Sequence, residues 1–194
     1  MKKAKKIRLL LAAAAAVVLV AAIGVTLAYM FKKVERINTF DPAIVTCAVH
    51  EKLDGAVPTG SMPYRGSEKS DIRVENTGNI DAYLRVRLIS YWVKENGDIV
   101  GVPSEMPEIA LDTAHWVAGA DNTYYYKTPV KPGERTEPLS DAAIPLRETQ
   151  TTDGDTIYPV YQVVEVFAEA IQAAPLEVVT DAWGVTIDGG QITN

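Results

Sequence analysis

Few side chains in this sequence are of a type that does covalent or metal chemistry, and their spacing points away from it. His50 and His115 are the two histidines, and Cys47 is the one cysteine, among 194 residues. No HExxH, CxxC or other ligand spacing surrounds them, so a zinc centre is not expected. A Ser–His–Asp set converges only in the fold, and no GxSxG elbow marks its nucleophile. Asp153-Gly-Asp155 and Asn96-Gly-Asp98 look like pieces of calcium loops, but neither runs on to the closing glutamate. Asp–Gly pairs of this kind make turns. No glycine-rich phosphate loop occurs. The expectation is a protein with no catalysis, no cofactor and no metal.

Other groups suit processing or recognition. Thr26 and Ala28 are small residues separated by Leu27, the arrangement a signal peptidase reads, so cleavage is expected between Ala28 and Tyr29. Trp116, Tyr124, Tyr125 and Tyr126 would suit stacking on a sugar, although an aromatic core edge with its hydroxyls at the surface is the commoner outcome. Arg85 and Arg87 alternate with apolar residues. They would make a binding patch, or, more commonly, a solvated sheet face paired with nearby carboxylates.

The leader that carries Thr26 and Ala28 opens with Lys2, Lys3, Lys5, Lys6 and Arg8, and no charged side chain lies between Leu9 and Phe31. A bilayer core asks for about 20 apolar residues, so residues 7–31 are long enough to cross one. Two outcomes follow: a signal peptide over 1–28, or an uncleaved anchor reaching about residue 31. Cleavage is the expectation, because the alanine-rich centre is only moderately hydrophobic. In both cases the basic head stays inside and the bulk of the chain goes out. Five of the 19 basic residues lie in that head, which leaves 14 against 25 acidic ones beyond it. A surface so acidic is a poor partner for nucleic acid. With one cysteine, no intrachain disulfide can form.

Beyond the leader the pattern is of short strands and turns. Residues 29–50 read as an extended segment, with a turn at Asn38-Thr-Phe-Asp-Pro42 and a strand over Ala43–Val49. Leu53–Ser70 reads as a loop. Asp71–Glu75 and Ala82–Val93 read as a strand pair around Asn76-Thr-Gly-Asn79, and Asn96-Gly97 as a hairpin turn. Short strands are expected at His115–Val117, Thr123–Lys127 and Thr136–Leu139, and a loop over Glu148–Asp155. Ile157–Ile171 alternates as one long strand. A short helix is expected over Pro175–Trp183, stopped by Gly184, with a last strand at Val185–Ile187. The fold class is all-β, an antiparallel β-sandwich over residues 51–194 preceded by the hydrophobic helix.

The leader ending Gly24-Val-Thr-Leu-Ala-Tyr29 resembles those handled by the SipW-type signal peptidase. Val74-Glu-Asn-Thr-Gly-Asn-Ile-Asp-Ala-Tyr-Leu-Arg-Val86 resembles the central motif of the TasA/camelysin-like proteins exported by that route. Tyr124–Lys127, Pro129–Leu139 and Ala182-Trp-Gly184 are similar to the same group. The resemblance implies a jelly-roll sandwich that builds extracellular fibres in biofilm matrix, an N-terminal segment of one subunit completing a neighbour's sheet. The candidate donor lies within residues 29–50, with Ile37, Phe40, Ile44, Val45 and Val49 as its apolar residues. Camelysin is described as a surface metalloprotease, and no zinc motif here carries that activity over. The expected protein is thus a secreted or cell-surface structural subunit. Its partners would be the signal peptidase, the membrane and further copies of itself or related matrix subunits. The alternative is a membrane-tethered ectodomain that binds a ligand such as wall glycan.

Overall fold

The structure is a computed structural model that describes residues 42–55 and 66–193. Thr26, Ala28, Tyr29, Ile37 and Phe40 lie outside the described residues, as does the whole leader.

β3 (Ala82–Lys94) and β9 (Thr156–Gln172) form the spine. They pair antiparallel from Ala82↔Gln172 to Lys94↔Val160 without a slip. On β3 the alternation does what period-two patterning dictates: Leu84, Val86 and Leu88 are buried, while Arg87 and Ile89 are exposed. β5 (Trp116–Ala118) and β6 (Thr123–Tyr126) extend the sheet beyond β3, β4 (Ile99–Pro103) pairs the far end of β3, and β8 (Glu148–Asp153) pairs the start of β9. The β3–β4 turn is the one Asn96-Gly97 announces: Asn96 Oδ1 accepts from the Asp98 N–H, and Gly97 takes φ 93°. Asp121 and Asn122 both sit at positive φ between β5 and β6, as a two-residue hairpin turn of matching twist requires.

β1 (Cys47–Asp54), β2 (Glu68–Asn76) and β7 (Ile144–Pro145) make a second sheet in the order β1-β2-β7. The two sheets face each other across the main core. Ile72 and Val74 of β2 and Ile144 of β7 meet Leu84, Val86 and Leu88 of β3, Val164 of β9 and Trp116 of β5. A smaller core lies on the other face of the large sheet. There Val179 of the helix α1 (Leu176–Trp183) packs with Tyr83, Tyr125, Val185 and Ile192. Gly184 ends α1 at φ 66°, its N–H donating to the Thr180 carbonyl, as a left-handed cap should. β10 (Ile187–Asp188) and β11 (Gln191–Ile192) close the chain as a small hairpin.

Four expectations are corrected. β2 and β3 are not a hairpin: they belong to opposite sheets, and residues 77–81 carry the chain across. Buried Asn76 holds that crossing, its Nδ2 donating to the carbonyls of Ile80 and Val130 at 2.8 Å each. Strand pairing also reaches into the expected Leu53–Ser70 loop, since β1 runs to Asp54 and β2 starts at Glu68. The expected Glu148–Asp155 loop is β8 and its turn, held by six paired positions although its side chains are largely solvated. Thr136–Leu139 is not a regular strand. It lies along β2 by spaced bonds, Thr136 N–H to Val74 O and Leu139 N–H to Ile72 O, while Thr136 Oγ1 accepts from the Val74 N–H.

Candidate functional site: two open strand edges on one flank

Among the described residues, β1 has a neighbouring strand on one side only. Thr77 N–H donates to Thr46 O and Asn79 N–H to Ile44 O, which fixes the even-numbered residues as the ones bonded toward β2 and its turn. Antiparallel ladders alternate, so the main-chain groups of Cys47 and Val49 point to the open side. The same logic applies to β9. Gln162 N–H donates to Arg147 O on the β8 side, and Ala173 N–H donates to Asp81 O on the β3 side. Odd residues of β9 therefore bond β3, and Val164, Val166, Ala168 and Ala170 turn theirs outward. β8 stops pairing at Tyr161, so among the described residues no strand covers β9 from Val163 to Gln172 or the outer edge of β1.

The two edges lie on the same flank. Val49 and Glu51 of β1, Lys69 of β2, and Tyr91 with Val163–Val166 surround one cavity of about 240 Å³. Cys47 is near enough to Glu169 for its thiol to feel the carboxylate. Burial, then Glu169, pushes that thiol up, so it stays protonated and behaves as a small apolar residue. The residues with outward main chain also face the core with small or β-branched side chains: Cys47, Val166, Ala168 and Ala170 pack against its margin. Among the described residues, the flank thus offers backbone donors and acceptors that no strand takes up, above an apolar floor.

The charged pair inside the cavity comes from an irregularity. Asp71 sits at φ 52°, and the register slips between His50↔Arg73 and Lys52↔Ser70. This bulge reverses the alternation of β2, turning Lys69 inward, where its side chain is 7% exposed. Its ammonium donates to both oxygens of Glu51, at 2.9 and 3.0 Å. Tyr91 and Glu165 stand at the rim, 3.4 Å apart through hydroxyl and carboxylate.

The outer face of the β1–β2 pair carries an ionic lattice. His50 Nε2 lies 2.9 Å from Glu75 Oε2 without hydrogen-bond alignment, and Arg135 Nε donates to the same oxygen at 2.8 Å. Arg73 Nε and Lys52 Nζ hold Asp71 at 2.7 and 3.1 Å. The Arg73 and Lys52 hydrogen bonds pull the Asp71 carboxyl below its ordinary range, and Arg135, with a smaller part from His50, does the same to Glu75. Acids and bases here neutralise one another, which suits a solvated sheet face better than a binding site.

The expected aromatic patch is divided. Trp116 is buried, its indole N–H donating to Glu137 O, and Tyr126 meets it edge-on at 5.1 Å. Tyr124 and Tyr126 pack against the main core, with burial raising both hydroxyl pKa values, whereas Tyr125 faces the smaller core on the opposite side. The four rings do not form one surface. Arg85 is paired, with Nε 2.9 Å from Glu169 and its guanidinium 4.7 Å over the Trp183 ring, so it pins α1 to the sheet.

His115 and Asp112 form a close pair at 2.6 Å, but Asp112 also accepts from the Ala114 N–H and so shapes a turn. Among the described residues no three His, Cys, Asp or Glu side chains gather to hold a metal, and no helix is long and apolar enough to cross a membrane.

Ile44, Val45 and Val49 are brought together, but within this chain's own domain. Ile44 is clasped by Asn79 through its N–H and its carbonyl, Val45 packs on the core margin, and Val49 lies in β1. Val49 thus belongs to a strand whose outer edge no described strand covers. Lys69 and Glu51 were not singled out in the sequence; the Asp71 bulge that brings them inward has no local signal. Compared with known proteins, the chain matches no family, no curated protein and no solved structure.

Proposed function

We propose that this is an exported cell-surface structural protein, a biofilm-matrix or fibre-type subunit that assembles by β-strand addition and performs no catalysis. The observation that carries the reading is the flank: two main-chain edges that no described strand covers, side by side over an apolar floor. An added strand draws affinity from such backbone groups and specificity from alternate side chains. Long open edges are normally blunted in proteins that stay apart. The leader, the acidic and disulfide-free remainder and the all-β architecture fit export to the outer face of the membrane. A jelly-roll arrangement of the TasA/camelysin-like type accommodates the two sheets, with the SipW-type route releasing a segment that begins at Tyr29. The glycan-binding alternative loses support, because the rings it relies on face different ways.

The test is sedimentation of the mature chain from Tyr29 at rising concentration and after acidification. The expected result is a concentration-dependent shift to large, elongated species. A chain that stays monomeric throughout contradicts the reading.

A further inference from the structure

We propose that a second copy of this chain docks on the outer face of the large sheet, on a patch formed by Arg87, Ile89, Glu165 and Phe167. The contact uses a sheet face, whereas strand addition uses strand edges, so the inference goes beyond that reading and does not depend on it.

Leu88 of β3 and Val164 of β9 face the main core, so alternation places Arg87, Ile89, Glu165 and Phe167 on the opposite face. One end of that face is covered. There α1 packs through Val179 on Tyr83 and Tyr125, and Arg85 stacks on the Trp183 ring. The next two rows are Arg87↔Phe167 and Ile89↔Glu165. They lie open: Phe167 is 45% and Ile89 40% exposed, and Arg87 and Glu165 are exposed beside them. Arg85 is paired with Glu169, whereas among the described residues neither Arg87 nor Glu165 has an ion pair.

The two rows make a four-cornered pattern, with Ile89 and Phe167 on one diagonal and Arg87 and Glu165 on the other, each diagonal about 7–8 Å long. Two copies meeting through this one patch are related by a two-fold axis in the plane between their sheets. An axis along the strands sets Arg87 on the other copy's Phe167 and Ile89 on its Glu165. An axis across the strands sets Arg87 on Ile89 and Phe167 on Glu165. Along the Arg87–Glu165 diagonal, each charge meets its own like. Along the Ile89–Phe167 diagonal, each apolar residue meets its own counterpart and Arg87 meets Glu165 twice over. The charges thus choose the last setting. Strands of the two copies then cross steeply, as in orthogonal sheet packing. Four residues a copy are few against the roughly 800 Å² of a standard interface, so the pairing is weak and is best read by trapping it.

Chemical cross-linking of the full chain, purified as the producing cell leaves it, tests this. Cys47, the one cysteine, is replaced by alanine. A short bismaleimide is then applied to Ile89→Cys and, separately, to Phe167→Cys, with the melting temperature of each chain measured beside it. Both positions lie on the axis, so each is expected to give a cross-linked dimer whose yield rises with protein concentration. Adding Arg87→Glu is expected to lower that yield roughly tenfold, since like charges then face each other twice. Adding Glu165→Arg to the same chain is expected to restore most of it. No dimer from either thiol overturns the inference. So does a yield that Arg87→Glu leaves unchanged, or one that the double reversal fails to restore. A chain that forms the dimer but never sediments as larger species contradicts strand addition alone, and large species without the cross-link contradict this inference alone.

Discussion

Asn76 shows how much one side chain carries. It is fully buried, its amide closes two backbone carbonyls, and its Oδ1 accepts from the Gly78 N–H at 3.0 Å. Asn76→Ala removes the side-chain partner of the Ile80 carbonyl and the Gly78 N–H and leaves the Val130 carbonyl with the Ala82 N–H alone, so urea unfolding should show a loss of about 2 kcal/mol. Its role was half legible: the Asn-Thr-Gly-Asn string reads as a turn, but the turn changes sheets, and only the distant Val130 carbonyl reveals that. Asp71 and Glu75 set the acid response. Both pKa values are lower in the fold than in the open chain, so their contribution is complete above the unfolded value near 4 and fades as pH falls through the folded values. The urea midpoint should therefore decline on acidification below about pH 4. Asp71→Asn should flatten part of that decline, and an unchanged pH profile in this variant would show that the Asp71 pairs contribute nothing. Both groups are largely solvated, so the effect is modest.

Among the elements, the strands with a buried face could be read directly, and those without one could not. β3 and β9 alternate clearly because one side packs on the core, and α1 has its glycine stop. β8, with the sequence Glu-Thr-Gln-Thr-Thr-Asp, has no apolar alternation because its side chains meet water; it exists through its ladder with β9. The two-residue turn after Asp153, with Gly154 at φ 59°, was the available signal. The open edge of β9 follows from pairing alone and gives a sharp contrast. Phe167 is bonded to β3, so Phe167→Pro should cost about 3 kcal/mol or more in urea unfolding. Ala168 turns its N–H to the open side, so Ala168→Pro should leave the fold largely intact and suppress assembly. Equal damage from both would mean that the edge is not open as described.

For the molecule as a whole, sheet topology determines what its surface offers a partner. Two sheets close the main core, and among the described residues no strand covers one flank of the pair. The candidate site was legible only in part for that reason. Val49 was singled out for its β character, but its partners across the cavity, Val164 and Val166, lie more than a hundred residues further along the chain. The fold brings them together, and an inward lysine gives the place its chemistry.

Residue-resolved hydrogen exchange of the mature chain, before and after assembly, tests the central claim most directly. In the monomer the amides of Cys47, Val49, Val164, Val166, Ala168 and Ala170 should exchange quickly, while Phe167 and Glu169, bonded to β3, exchange slowly. In the assembled state the open-edge amides should become protected as a group. Assemblies in which these amides still exchange as fast as in the monomer would contradict strand addition at this flank.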